Sequence, residues 1–298
     1  MKIARFETSG GRIGWGWLDS ADPSIVREAL GSLSTVFPDE LVGWEPEDLL
    51  KVLATAEYHS HDLASLRLLS PLTRRNTIIA VGRNYREHAA EGGNPVPEFP
   101  MLFGLLPSAI VGPFDDIQMP GESEQVDWEG ELGVVIGRTA RNVSRANAQS
   151  VIAGYVGIND FSARDLQRKD QQWTRAKSFD TFKPMGPYLT TVDELGLATD
   201  VRISVKVNGV QKQNESTAMM VFPVDYLIEY ITAFATLEPG DIISTGTPSG
   251  VGMGAKPPNF LTPGDVAETE IGGIGRMVNR MLAPRVASSA QQREANVA

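Results

Sequence analysis

The chain has 298 residues, with 27 Lys and Arg against 37 Asp and Glu for a formal charge of −10, three His and no Cys. The lack of thiols excludes a cysteine nucleophile, a disulfide framework, Cys-ligated zinc and a protein-held iron–sulfur cluster. With so few His, a bound metal would have to be held by oxygen, and the acidic balance argues against nucleic acid or a membrane surface as partner.

At 42% hydrophobic and 21% charged the composition is that of an ordinary globular protein. The first ten residues carry no apolar stretch, and no run of about 18 apolar residues offers a spanning helix, so a cytoplasmic location is expected. Residues 1–20 alternate around Gly10-Gly11, with Phe6 before the turn and Ile13, Trp15 and Trp17 after it, which predicts a hairpin. Helices are predicted at 22–32 and 45–56, the second with Leu49, Leu50, Val52 and Leu53 as its apolar stripe. Ser70-Pro71 marks a boundary, after which 77–82 reads as a fully buried strand. A short helix is predicted at 85–91, and strands at 132–136, 151–158, 201–207, 241–245 and 266–271. Further helices are expected at 146–153 and 224–235. Strands and helices do not alternate as a βαβ series requires. The expectation is an α+β, β-dominated protein: a small N-terminal domain at 1–72, a catalytic domain at 73–282, and an aperiodic, disordered tail at 283–298.

The richest segment runs from Val126 to Gly137. Glu129 and Glu131 are two apart at the entry to a strand, so period-2 geometry puts both carboxylates on one face. Such a pair is tolerated on a solvated face or around a cation. Asp160 closes the uncharged run 152–160, where a buried strand would present an acid at its end. Three hard oxygens from Glu129, Glu131 and Asp160 suit Mg²⁺ or Mn²⁺, with Ca²⁺ fitting a larger cavity. His88 and Glu91 are i and i+3 on the predicted helix, so the carboxylate can orient the imidazole, and Gly92-Gly93 follows as a hinge; an incidental surface pair is the plain alternative. His59 and His61 flank a serine without organised surroundings and are assigned no function.

Together these segments resemble the fumarylacetoacetate hydrolase family. The resemblance rests on Ile79-Ala80-Val81-Gly82-Arg83-Asn84-Tyr85 with His88, Pro107-Ser108, Gly112-Pro113, Glu129-x-Glu131, Asn159-Asp160-x-Ser162-Ala163-Arg164-Asp165-x-Gln167, Ala176-Lys177-Ser178-Phe179-Asp180, and the run from Gly240 through Gly246-Thr247-Pro248 to Gly252. It implies a mixed β-sandwich roll, usually dimeric, with Mg²⁺ or Mn²⁺ on Glu129, Glu131 and Asp160. It also implies a His88–Glu91 dyad on a closing helix, Lys177 as the active-site lysine, and substrate contacts from Arg83, Tyr85, Arg164, Gln167 and Thr247. The activity implied first is hydrolysis of a C–C bond in a 2-oxo or 1,3-dicarbonyl acid, with water activated by the dyad. Decarboxylation and enol–keto isomerisation are the alternatives within the family, and a catalytically inactive ligand-binding homologue is the alternative outside enzymes. Leu105 stands where many members carry lysine; this implies either a more apolar pocket or a packing change without effect on substrate. Pocket walls are expected from loops 95–100, 168–173 and 256–260.

Overall fold

The computed structural model describes residues 1–35, 46–73 and 76–285, so Glu45 and the stretch 286–298 of the expected tail lie outside the described residues. Strands β1 (Lys2–Glu7), β2 (Ile13–Leu18), β3 (Ile25–Ala29) and β4 (Tyr58–Asp62) pair antiparallel in sequence order; helix α1 (Pro46–Thr55) lies in the β3–β4 connection, and β5 (Arg67–Leu69) also pairs with β1. The middle of the chain supplies β6 (Ile78–Gly82), α2 (Arg86–Glu91), β7 (Met101–Leu105), β8 (Ile110–Val111), β9 (Ile117–Gln118), β10 (Val126–Asp127), β11 (Gly130–Ile136), β12 (Ile152–Asn159) and β13 (Ser162–Ala163). Then follow α3 (Arg164–Asp170), α4 (Trp173–Lys177), β14 (Lys183–Thr191), α5 (Val192–Leu195), β15 (Arg202–Val207), β16 (Val210–Ser216), α6 (Val224–Phe234), β17 (Ile242–Ser244), β18 (Val266–Ile271) and β19 (Gly275–Leu282).

The large sheet runs β4-β3-β2-β1-β14-β12-β11-β17-β6-β7, and a second, five-stranded sheet runs β16-β15-β18-β19-β9. Both faces of the large sheet are covered, which is why its central strands read as continuous apolar runs. On β11, Leu132, Val134 and Ile136 pack with Ile203, Ile231 and Ile271, while Val135 turns to a separate core with Ile3, Trp15 and Leu189. The two sheets meet closely at Gly130, where an added Cβ would fall 2.5 Å from Val205 Cγ2. Only a residue without a side chain admits that approach.

The expected strands at 132–136, 151–158, 201–207, 241–245 and 266–271 and the helix at 224–235 are present within a residue or two at each end. The helix expected at 22–32 is not: Ile25–Ala29 is a strand between β2 and β4. Asp22 forms a local turn instead, accepting from Ser24 N at 3.0 Å while Ile25 N donates to its carbonyl, and β-branched Ile25 and Val26 follow directly. The helix expected at 146–153 is a 3₁₀ turn, Arg145–Val151, because Ile152 is already paired with Ile136 across the sheet.

Topology gathers one edge of the large sheet. The antiparallel β11–β12 register sets Gly130 opposite Asn159, so the start of β11 adjoins the end of β12, and Asp160 N donates to Glu129 O at 2.8 Å. β17 is antiparallel to β11 and parallel to β6, so both end at this same edge, and α2 begins just beyond it.

Candidate metal and acid-binding site

A cleft of about 340 Å³ opens at this edge, with Glu129, Glu131 and Asp160 in its floor. Each is at least 96% buried, and one carboxylate oxygen from each lies within 4.8 Å of the others. The three carboxylates differ in their partners. Glu129 is gripped by Arg164 Nη2 at 2.5 Å and Lys177 Nζ at 2.5 Å, and Asp160 by Lys177 at 2.6 Å and Lys183 at 2.6 Å. Among the described residues Glu131 receives only the Ser244 hydroxyl at 2.5 Å and the Gly246 N–H at 3.0 Å.

The electrostatics follow. Burial alone would raise the Glu129 carboxyl, but Arg164, Lys177 and His88 together outweigh it and hold the group below the usual carboxylate range. Burial, then repulsion from Asp160 and Glu129, pushes Glu131 up to about 8. Burial likewise pulls Lys183 down to about 8, against the pull of Asp160. A buried carboxylate facing two others with no cation of its own is a site that a divalent ion would stabilise, and an all-oxygen donor set suits Mg²⁺ or Mn²⁺. The residues therefore fit such an ion.

Over this floor stands His88. Its Nδ1 is 2.9 Å from Glu91 Oε1, its Nε2 is 3.9 Å from Glu129 Oε1, and the ring lines the cleft. Glu91 does not line the cleft; its other oxygen accepts the Gly250 N–H at 3.0 Å and so ties α2 to the glycine-rich loop after β17. Asn84 fixes the root of α2, donating to Phe222 O and Thr245 O and accepting from Phe222 N at 2.8–3.0 Å.

Arg83, Arg164, Gln167, Lys177 and Thr247 also line the cleft. Arg83 sits at φ 55 with its guanidinium 5.8 Å from the Trp173 ring. Gln167 accepts from Arg164 Nη1 at 3.0 Å. Tyr85 is elsewhere: it is 1% exposed, lies in the main core and is absent from the cleft wall, and burial raises its hydroxyl. Leu105 is 4% exposed and packed with Ile78 in the other core, and it is absent from the cleft wall. Of the expected walls, 168–173 supplies Arg168 and Trp173, whereas neither 95–100 nor 256–260 contributes; Asn94, Phe103 and Met253 line the cleft outside the expected loops.

Sequence reasoning passed over three residues. Asp127, fully buried, accepts from Arg164 Nε at 2.8 Å, Gly252 N at 2.6 Å and Met253 N at 3.0 Å, joining an arginine of the cleft to the glycine-rich loop. It stood two residues before Glu129, yet a third acid in an acidic segment carries no distinguishing signal. Lys183 did carry one, as the single charge between Phe182 and Pro184-Met185. Gln213 carried none, since every residue from Gln211 to Ser216 is polar.

Comparison with known proteins fits this geometry. A family model described as the fumarylacetoacetate (FAA) hydrolase C-terminal domain matches residues 77–282. The chain belongs to the fumarylacetoacetate hydrolase family. It is 43% identical over 221 residues to bovine "Oxaloacetate tautomerase FAHD2A, mitochondrial", an alignment covering 74% of this chain and 70% of the relative. Among solved structures it is similar to the fumarylacetoacetate hydrolase of Exiguobacterium antarcticum, at TM-score 0.82 and 37% identity over 95% of this chain and 99% of that one. A 2-hydroxyhepta-2,4-diene-1,7-dioate isomerase from Mycobacterium marinum is similar at TM-score 0.76 and 34% identity, over 95% of this chain and 98% of that one. Among the described residues no helix is long and apolar enough to cross a membrane.

Proposed function

We propose that this chain is a divalent-metal-dependent enzyme that interconverts the enol and keto forms of a 2-oxo dicarboxylic acid of the oxaloacetate class. The observation that carries the reading is the imidazole of His88, backed by Glu91 at 2.9 Å on Nδ1 and aimed with Nε2 toward the acidic trio, 3.9 Å from Glu129. Glu129, Glu131 and Asp160 would hold the cation, which would supply Lewis-acid polarisation of the substrate's oxo group and so acidify the adjacent C–H. His88 Nε2 takes the proton from that carbon and delivers it to the oxo oxygen to give the enol, the reverse transfer restoring the keto form, while Glu91 holds the Nδ1 proton and steadies the imidazolium. Lys177 offsets negative charge developing on the oxo oxygen, and Arg164 with Gln167 orients the neighbouring carboxylate.

A second reading, hydrolysis of a C–C bond in an acylpyruvate-like acid, is favoured by the 37% identity to a fumarylacetoacetate hydrolase over nearly the whole chain. There the same imidazole would activate water against the distal carbonyl. The bovine tautomerase at 43% identity is the reason for preferring isomerisation. The two are separated by giving the protein enol-oxaloacetate and an acylpyruvate with Mg²⁺ or Mn²⁺, following enol absorbance and released acids in parallel. Accelerated decay of enol-oxaloacetate without release of pyruvate, abolished by EDTA and by His88→Ala, supports the tautomerase. Acylpyruvate cleavage alone transfers the reading to hydrolysis, and inertness toward both with metal bound sinks the enzyme.

A further inference from the structure

The edge strand β16 faces solvent for most of its length. Its one buried residue is Gln213, 1% exposed. A strand that otherwise needs no interior contact thus inserts a polar side chain, and all three hydrogen bonds of that side chain go to the site. Gln213 Oε1 accepts from Gly130 N at 2.9 Å, in the link between Glu129 and Glu131. Its Nε2 donates to Thr247 Oγ1 at 2.8 Å and to Pro248 O at 2.7 Å. Thr247 Oγ1 in turn donates to Gly130 O at 2.9 Å. The Thr247 hydroxyl proton is therefore committed to the backbone. The loop also rests on β16 itself: Gly250 has φ 98, and a Cβ there would fall 2.0 Å from Lys212 O.

We propose that Gln213 is a positioning residue for substrate binding, a buried amide from the second sheet that holds Thr247 and the 247–250 loop in fixed register with the Glu129–Glu131 segment. This rests on the reading of the cleft as an acid-binding site. Gln213 acts through Thr247 rather than through the cation ligands, because those have their own holders: Arg164 and Lys177 for Glu129, Ser244 and Gly246 for Glu131.

The test is a double-mutant cycle on the full chain, with oxalate as the probe of acid binding and calorimetry as the readout in Mn²⁺. Gln213→Met is expected to weaken oxalate about tenfold, as loss of a buried hydrogen-bond network does. Its Mn²⁺ affinity should stay within about threefold of the parent, since those contacts are separate. In a Thr247→Val background Gln213→Met should add nothing. Additive losses, or unchanged oxalate affinity, would overturn the proposal. Gln213→Glu keeps the acceptor for Gly130 N but loses both donated bonds, and it carries the same cycle if the Met variant does not fold. Hydrogen exchange on the metal-free chain gives a readout independent of substrate. Either variant should raise exchange in 247–251 and leave β12 and β14 protected, and unchanged exchange in that loop counts against the proposal. If oxalate fails to bind the parent protein, the acid-binding reading falls, while the exchange result still decides whether Gln213 positions the loop.

Discussion

Glu131 shows how one residue can serve a site at the expense of the fold around it. Its carboxylate is 2% exposed and faces Glu129 and Asp160, and the nearby cations are engaged by those two. Pushed up to about 8, the group is largely protonated at pH 7 when no cation is bound, so a neutral isostere takes its place at little cost. Glu131→Gln is therefore expected to leave the melting temperature in EDTA unchanged or raised, while the stabilisation seen on adding Mn²⁺ disappears and kcat/KM falls by about a hundredfold or more. Scanning calorimetry with and without Mn²⁺ checks this, and a lowered melting point in EDTA would contradict it. The carboxylates themselves were legible in the sequence, as was the imidazole, because alternation and helical spacing are local. Of their holders Arg164 and Lys177 were also legible, but Gln213 was not, since it reaches the site only through the second sheet, where strand pairings join distant positions such as Lys206 and Glu268.

Elements set the next level. The six-residue helix α2 is too short to be stable by its own hydrogen bonds, so its position depends on Asn84 at one end and on Glu91 bound to Gly250 at the other. Asn84→Leu leaves the Phe222 N–H and two carbonyls buried without their partner. We expect a loss of about 3 kcal/mol in urea unfolding, together with a fall in kcat larger than the change in Mn²⁺ affinity, since His88 rides on this helix. The N-terminal strands carry a different dependence. Glu28 on β3 is held below its usual range first by Arg12 and, against the effect of burial, also by His61. A carboxyl depressed in the folded state stabilises the fold above its unfolded value, about pH 4.3, and that contribution drains away as pH falls through the lower folded value. Glu28→Gln should flatten the urea midpoint between pH 6 and pH 3 relative to the parent; equal acid slopes would refute the assignment. His61, assigned no function from sequence, thus has a structural partner that is 33 residues away and invisible to pattern reading. The strand at Ile25–Ala29 was missed for a related reason: pairing on both sides overrode a weak helical pattern.

In the whole molecule, the ten-strand path of the large sheet passes from residues 1–72 into the remainder through β1 and β14, where Lys2 faces Thr190 and Ile3 faces Leu189. The chain's amino terminus adds bonds to Thr191 Oγ1 at 2.6 Å and Glu194 at 2.8 Å. A fragment beginning at residue 73 would expose the β14 edge and the apolar face that Trp15 and Trp17 cover, so it is expected to aggregate on size-exclusion chromatography. A monodisperse, cooperatively folding fragment would show that the N-terminal strands are dispensable. β14 was itself unread in the sequence, because Pro184, Gly186 and Pro187 disguise a central strand as a turn. The anatomy of the cleft has an evolutionary meaning. The carboxylates stand at strand ends, locked by buried arginine, lysine and backbone, whereas Asn94, Arg168, Trp173 and Met253 stand on connections and short helices at the rim. Selectivity can thus drift by substitution at the rim while the carboxylate floor is inherited intact, and a library confined to those four positions is where altered substrate range should first emerge.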